Sequence, residues 1–163
     1  MKTGTLYFFC GKMGAGKSTH SKKLAQRENA VLISEDTWLA QVYPDQISSL
    51  DDYVHHSALL RPLVFNHVVN ILQTGTNVVM DFPANTPKQR KWFLDLVDAA
   101  GAEHLMTYIV ASDEVCLEHL GQRRQEEPER AQFDNEAVFR EVTKFFQEPS
   151  DSENLRINRI EAK

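Results

Sequence analysis

The stretch from residue 11 to residue 18 constrains the fold of this chain more than any other. It agrees at every position with the spacing G-x-x-x-x-G-K-[ST] and reads Gly11-Lys12-Met13-Gly14-Ala15-Gly16-Lys17-Ser18. The apolar run from Thr5 to Cys10 precedes it and predicts a buried strand, while residues 18–28 have the pattern of a helix. A strand, a glycine-rich turn and a helix in this order predict a loop that binds phosphate groups.

The residue types of this loop suit a nucleoside triphosphate. Its glycines leave room for the backbone to wrap a phosphate, and successive backbone N–H groups then point into one concavity. We predict that Lys17 reaches the β- and γ-phosphates and that the Ser18 hydroxyl coordinates Mg²⁺. The alternative is a glycine-rich turn with a chance lysine. The predicted ligands are therefore ATP and Mg²⁺, and the predicted nucleotide contacts come from Gly11, Met13, Gly14, Ala15, Gly16, Lys17, Ser18 and Thr19.

Length and composition predict one domain, residues 1–163, because the chain has 163 residues of which 42% are hydrophobic. The net charge of −5 disfavours a nucleic-acid partner. Met1-Lys2-Thr3 leads directly into the first strand, and no apolar run approaches the ~20 residues that span a bilayer, so we expect a cytoplasmic protein without a membrane partner. Cys10 and Cys116 lack metal-site spacing, which favours two small core residues. No oligomeric state follows from the sequence.

Apolar runs alternate with helical patterns along the chain, which predicts an α/β fold with a parallel sheet covered by helices on both faces. The predicted strands are residues 5–10, 30–34, 76–82, 105–111 and 155–160. The longest helical pattern covers residues 51–73, and its apolar residues at four-residue spacing are Leu60, Val64, Val68 and Leu72. Pro62 is expected to kink this helix or to begin a second one.

Two acids follow predicted strands directly. Asp36 lies just beyond the second strand, and Asp81 lies at the end of the third. Ligands of parallel sheets bind at the carboxyl ends of the strands, so we place Asp36 near the γ-phosphate as the general base, with Glu35 as its rival. We predict that Asp81 holds the hydration shell of Mg²⁺ or orients the attacking group. The alternatives are a helix cap for Asp36 and a strand-end cap for Asp81.

Three further residues are candidates for the acceptor side of the site. Asn85 belongs to a tight turn after the third strand, and Arg90 belongs to the helix that begins behind the predicted capping residue Thr86. Both are expected to face the cleft. Arg61 lies on the polar face of the long helix, where it is predicted to contact the acceptor, and a solvated surface position is the alternative.

Residues 125–132 are polar, charged and interrupted by Pro128, so they cannot bury themselves in a core. We predict a lid at about residues 122–134 that closes over the phosphates and brings Arg123, Arg124 or Arg130 onto the transferring group. A solvated surface loop is the alternative. Asp134 is then expected to cap a last helix, whose core face carries Val138, Val142 and Phe145.

Across essentially its whole length the sequence resembles the P-loop kinases grouped with polynucleotide kinase, chloramphenicol phosphotransferase and zeta toxin, in a branch of bacterial AAA-type ATP-binding proteins. The residues that carry the resemblance are the loop 11–18, Asp36, the segment 79–86, Arg123, Arg124 and the segment 146–149. The resemblance implies a three-layer P-loop NTPase fold, with a five-stranded parallel sheet in the order 2-3-1-4-5. It also implies that Asp36 is the general base and that the lid arginines Arg123 and Arg124 act in catalysis.

One position departs from the pattern of that group. Polynucleotide kinases usually carry an arginine close behind the base, where it holds a substrate phosphate, and this chain has Trp38 there. We include Trp38 among the acceptor-side residues. The run of basic residues that those enzymes use for a nucleic-acid strand is also missing, which disfavours a nucleic-acid acceptor.

Three classes of nucleotide-binding protein can be compared with these motifs. A GTPase switch needs an Asn/Thr-Lys-x-Asp element for guanine, and the candidate beginning at Thr143 lacks the acid. An ATPase motor places Glu directly after the acid of its Walker B strand, but Phe82 follows Asp81. We therefore predict a kinase that transfers the γ-phosphate of ATP to a hydroxyl of a small molecule. The alternatives are a polynucleotide 5′-hydroxyl kinase and a non-catalytic ATP-binding regulatory protein.

Overall fold

The computed structural model describes residues 2–162, with the side chain of Ala131 excepted. Within these residues the strands are β1 Thr5–Cys10, β2 Val31–Ser34, β3 Val78–Pro83, β4 Glu103–Val110 and β5 Ile157–Glu161. The helices are α1 Lys17–Arg27, α2 Glu35–Val42, α3 Leu50–Gln73, α4 Pro87–Ala100, α5 Asp113–Glu126 and α6 Glu136–Thr143. Short 3₁₀ segments cover Pro128–Gln132 and Asp151–Glu153. The strands lie within two residues of their predicted bounds.

The strands of the described chain form one five-stranded parallel sheet in the order β2-β3-β1-β4-β5. Helices α3 and α4 cover one face of this sheet, around Phe8 and Phe93, and helices α1, α5 and α6 cover the other, around Phe9 and Phe139. The predicted three-layer α/β architecture and strand order are confirmed. The carboxyl ends of β1, β2 and β3 meet at one edge, and this edge receives the candidate site residues.

Helix α3 runs without interruption from Leu50 to Gln73, so the prediction of a second helix at Pro62 is wrong. Pro62 lies on the exposed face of the helix, where water can satisfy the carbonyl that loses its partner. The opposite face is anchored in the core on both sides of the proline, by Leu60, Val64, Val68 and Leu72 as predicted. No helix within residues 2–162 has the length and apolar character needed to cross a membrane.

Capping residues mark the ends of several other helices, and one predicted cap differs from the observed one. Thr86 and Ser112 each accept a backbone N–H with their side chains, and Gly101 ends α4 in the left-handed conformation with φ 66°. At the start of α6, however, the capping side chain is that of Asn135, which accepts the N–H of Val138 at 2.9 Å. The prediction that Asp134 caps this helix is therefore wrong, and its carboxylate is engaged elsewhere.

The core face of α6 also differs from the prediction. Phe139 is fully buried, whereas Phe145 is 61% exposed because the helix ends at Thr143 and the following residues leave the helical face. Cys10 and Cys116 are both fully buried free thiols, as predicted for small core residues. Burial raises the pKa of the Cys10 thiol to about 11, which makes a reactive thiolate unfavourable there.

Candidate functional site

The loop between β1 and α1 has a shape that depends on glycine. Gly14 and Gly16 have φ values of 82° and 108°, in the left-handed region that disfavours other residues. A Cβ added to Gly14 would lie 2.7 Å from the carbonyl oxygen of Cys116 on α5, so a side chain there would collide with backbone. His119, also on α5, contacts the Gly14 carbonyl oxygen through Nδ1 at 2.8 Å. Helix α5 therefore packs directly against the loop at Gly14.

Lys17 begins α1 with its side chain folded back over the loop. Its Nζ donates hydrogen bonds to the carbonyl oxygens of Gly11 and Lys12, the second at 3.4 Å. Burial lowers the pKa of Lys17, and the negative charge of Asp81 acts against this shift. Of the remaining predicted nucleotide contacts, Ala15 is buried, Met13 is half-buried and Thr19 is exposed in the first turn of α1.

Ser18, in the first turn of α1, contacts Asp81, which lies near the carboxyl end of β3. The Ser18 hydroxyl donates a hydrogen bond to Oδ2 of Asp81 at 2.9 Å. Burial raises the pKa of Asp81, the hydrogen bond from Ser18 acts against this shift, and the charge of Asp36 adds to it. A hydroxyl beside a carboxylate fits Mg²⁺, which takes few protein oxygens and completes its shell with water and phosphate. No group of three or more His, Cys, Asp or Glu side chains within residues 2–162 could hold a metal by itself.

Asn85 lies directly against the loop. Its Oδ1 accepts the backbone N–H of Gly11 at 2.9 Å, and its backbone N–H donates to Oε1 of Gln89 at 2.8 Å. Its carbonyl oxygen accepts the N–H of Gln147 at 2.9 Å. Asn85 thus joins the start of the loop, the first turn of α4 and the segment that follows α6.

Arg90 does not face the cleft, and the prediction that it does is wrong. Its side chain is fully buried, with Nε 2.7 Å from Oε1 of Glu153 and Nη1 donating to the Ala84 carbonyl at 3.1 Å. The reason is helical periodicity, since Arg90 shares the inward face of α4 with Phe93 and Val97. A buried guanidinium needs a carboxylate partner, and Glu153 supplies it.

The two adjacent acids at the start of α2 have opposite environments. Glu35 is 2% exposed, and its carboxylate accepts hydrogen bonds from the hydroxyls of Tyr53 and, at 2.7 Å, Ser57. Burial raises the pKa of Glu35, and these hydrogen bonds act against the shift. Asp36 is exposed and makes no hydrogen bond or ion pair within residues 2–162. It comes two residues after Ser34, which is paired with Asp81 across β2 and β3, so it lies at the same sheet edge as Asp81.

The other two acceptor-side candidates lie on neighbouring helices. Trp38, on α2, is half-buried against the core, and its ring centroid is 6.2 Å from that of His67 on α3. Arg61 donates from Nε to Oγ of Ser57 at 3.2 Å, and its Nη2 is 3.9 Å from the Glu35 carboxylate.

Arginines of the predicted lid converge on Asp134, which is 1% exposed. Arg123 donates to both carboxylate oxygens of Asp134, from Nε and Nη2, each at 2.7 Å. Arg130 donates to Oδ2 at 2.7 Å, and Arg124 donates to the Asp134 carbonyl oxygen. Burial alone would raise the pKa of Asp134, but the hydrogen bonds from Arg123 and Arg130 outweigh it and lower the pKa.

Sequence reasoning missed this role of Asp134. The available signal was an acid four residues after Arg130 and close to two arginines at the end of the preceding helix. Another residue of the same segment, Gln132, donates from Nε2 to the carbonyl oxygen of Ser48 at 2.7 Å. The segment therefore connects α5 with the loop between α2 and α3.

Comparisons with known proteins give a family. Residues 6–149 match the family model described as an AAA domain. The chain belongs to this AAA domain family. No curated protein matches the sequence.

Solved structures similar to this AAA domain share its fold at low sequence identity. A candidate kinase from Chloroflexus aurantiacus is 19% identical, with a TM-score of 0.75 over 98% of this chain and 89% of its own. APS kinase from Mycobacterium tuberculosis, solved with AMPPNP and APS, is 19% identical, with a TM-score of 0.67 over 99% of this chain and 90% of its own. Kti12 from Chaetomium thermophilum, solved with ADP-AlF3, is 18% identical, with a TM-score of 0.66 over 94% of this chain and 88% of its own.

Proposed function

We propose that this AAA domain is an ATP-dependent phosphotransferase that moves the γ-phosphate of ATP to a hydroxyl group of a small molecule. We place it with the group of polynucleotide kinase, chloramphenicol phosphotransferase and zeta toxin. The observation that carries the proposal is the exposed Asp36 carboxylate, which has no hydrogen-bond partner within residues 2–162 and follows the end of β2, where Ser34 is paired with Asp81 of β3.

The residues that act on ATP and its metal ion have three roles. The backbone of the loop and Lys17 bind the phosphates of ATP. Ser18 and Asp81 would hold Mg²⁺, and the ion, when bound, neutralises charge that develops on the phosphates. Nη1 of Arg123 makes no hydrogen bond within residues 2–162, and we expect Arg123 and Arg124 to contact the transferring group when the lid closes.

Asp36 removes a proton from the acceptor. The acceptor oxygen forms a bond to the γ-phosphorus while the bond from that phosphorus to the β–γ bridging oxygen breaks, and the hydroxyl proton passes to the Asp36 carboxylate. Glu35 is unsuited to this task because Tyr53 and Ser57 already occupy its oxygens. ADP and the phosphorylated acceptor are the products.

A screen for ADP release tests the proposal. The protein and Mg·ATP are incubated with sugars, nucleosides, hydroxyl-bearing antibiotics and 5′-hydroxyl oligonucleotides, and the Lys17→Ala variant serves as the inactive control. We expect ADP release that depends on a small-molecule acceptor. Release with oligonucleotides alone would instead support a polynucleotide kinase. Tight Mg·ATP binding without release in any sample would support a non-catalytic regulatory protein.

A further inference from the structure

The contacts of Arg61 lead to residues that adjoin Asp36 and Asp81 in the sequence. On one side it contacts Ser57 and lies near Glu35, the residue directly before Asp36. On the other side its Cζ lies 5.3 Å from the ring centroid of Trp92. The Trp92 ring stacks 6.1 Å from that of Phe82, the residue directly after Asp81. The guanidinium therefore lies where α2, α3 and α4 meet, near the carboxyl ends of β2 and β3.

The contacts of Arg61 hold its side chain without using most of its donors. Nε donates to Ser57 Oγ at 3.2 Å, and Ser57 in turn donates to Glu35 Oε2 at 2.7 Å. Within residues 2–162 neither Nη1 nor Nη2 makes a hydrogen bond, and the side chain is 23% exposed. The guanidinium also lies over the Trp92 ring, a cation–π contact that helps to hold it in place.

The charge of Arg61 is only partly offset by Glu35. The 3.9 Å separation between Nη2 and Glu35 Oε2 is too long for a hydrogen bond, and the carboxylate takes its short hydrogen bonds from Tyr53 and Ser57. Arg90 and Arg123 differ from Arg61 in this respect, because each makes two short hydrogen bonds to a carboxylate. Arg61 thus keeps a fixed, partly exposed guanidinium with free Nη donors.

A guanidinium that is held in place and has free Nη donors is suited to binding an oxyanion. Its parallel N–H groups match the geometry of a carboxylate or phosphate, and such paired contacts are stronger than neutral hydrogen bonds. We propose that the phosphate acceptor carries an anionic group, a carboxylate or a phosphate ester, that binds the Nη atoms of Arg61 while its hydroxyl faces Asp36. This inference rests on the proposed function.

A binding experiment tests the anion subsite without phosphate transfer. The protein contains two tryptophans, so a Trp38→Phe background leaves Trp92 as the fluorescent reporter beside Arg61. The loop is first saturated with Mg·ADP, and inorganic phosphate or sulfate is then titrated as the probe. We expect a saturable change of fluorescence, with an affinity at least about tenfold weaker in Arg61→Gln. A response that is absent, or equal in Arg61→Gln, would overturn the subsite.

Two further variants control for folding and for general charge. Arg61→Lys keeps the positive charge but loses the paired N–H donors of the guanidinium. We therefore expect it to fold and to bind the probe more weakly than the Trp38→Phe background with Arg61 intact. If Arg61→Gln does not fold, the fluorescence titration of Arg61→Lys replaces it as the test. Arg140→Gln removes an exposed arginine paired with Glu136 on α6 and is expected to leave probe binding unchanged.

Matched acceptors separate this inference from the proposed function. Each pair differs in one anionic group, as in glycerol against glycerate and glycerol 3-phosphate, or a nucleoside against its 3′-phosphate. We expect the anionic member to give a kcat/KM for ADP release at least about tenfold higher, and Arg61→Gln to remove this advantage. Equal rates with neutral members would contradict the inference and leave the kinase intact. If no member releases ADP, the proposed function fails, and the fluorescence titration still decides the subsite.

Discussion

Asp134 binds the guanidinium of Arg123 through both carboxylate oxygens, each at 2.7 Å. We infer that this pairing orients Arg123 for its proposed contact with the transferring phosphate. We predict that Asp134→Asn slows phosphate transfer by about tenfold or more, because a small displacement of a charge-stabilising group is costly in catalysis. ATP affinity is expected to change much less, since the loop supplies most nucleotide contacts. Values of kcat and KM for the variant, with hydrogen exchange of residues 123–134, provide the measurement.

Glu127→Gln is the matched control for Asp134→Asn. Glu127 is 4.0 Å from Arg130 and its side chain is 53% exposed, so the pair contributes little. We expect near-normal transfer in Glu127→Gln. Equal losses in both variants, or no loss in Asp134→Asn, would show that the carboxylate does not position the lid arginines.

Lys17→Ala should weaken Mg·ATP binding by about two orders of magnitude, because the variant loses charge-assisted contacts with phosphate. The fold should survive, since Lys17 Nζ contacts only loop carbonyl oxygens within the described chain. Titration calorimetry and circular dichroism measure the two effects. Lys23→Ala, an exposed lysine on the same helix, is the control. Unchanged ATP affinity in folded Lys17→Ala would reject the loop as the nucleotide site.

Asp81→Asn should raise the Mg²⁺ concentration needed for half-maximal turnover more than it weakens nucleotide binding. The reason is that Asp81 contributes one of the two protein oxygens proposed for the ion. Ser18→Ala is expected to act in the same direction. Turnover measured over a Mg²⁺ titration tests this, with the exposed Asp98→Asn as the control. A normal Mg²⁺ dependence in Asp81→Asn would leave Asp81 as a strand-end cap.

Glu153→Gln should destabilise the fold by about 2–3 kcal/mol, because it leaves the buried Arg90 without its charged partner. The hydrogen bonds from Arg90 outweigh the effect of burial and lower the pKa of Glu153 from its ordinary value of 4.5. The stabilisation is therefore complete above pH 4.5 and is lost as the pH falls through the lowered pKa.

Denaturant unfolding of Glu153→Gln and wild type between pH 7 and pH 3 measures this contribution. The difference between them should shrink toward acid pH. Glu141→Gln removes an exposed pair with Lys144 and should cost less than about 1 kcal/mol. A pH-independent difference for Glu153→Gln would mean that lost packing, and not the ion pair, causes the destabilisation.

The parts of the molecule that were predictable from the sequence depend on local patterns. The buried strands are apolar runs, and the loop at residues 11–18 is defined by glycines and by Lys17 and Ser18, so both were predicted at close to their observed positions. The capping roles of Thr86, Ser112 and Gly101 follow from residue type for the same reason.

The parts that were not predictable depend on partners distant in sequence. Arg90 is paired with Glu153, 63 residues further along the chain, and no residue close to Arg90 in the sequence indicates that partner. The periodicity of α4 did contain a usable signal, because Arg90 lies three and seven residues before Phe93 and Val97, on the same face. The convergence of arginines on Asp134 depends on the folding of the lid, and local capping preferences suggested a different role.

Single-turnover phosphate transfer by Asp36→Asn is the most direct test of the central claim that Asp36 is the general base of a kinase. Ser34 is the N-cap residue of α2, so Asp36 is a first-turn residue and not the cap. A role limited to the helix dipole would cost at most about 1 kcal/mol of stability and no activity.

We expect Asp36→Asn to slow transfer from Mg·ATP by about 10²-fold or more, with ATP affinity and melting temperature near those of the wild type. Asp51→Asn, an exposed first-turn acid of α3, should transfer phosphate normally. Full transfer activity in Asp36→Asn would show that Asp36 is not the general base.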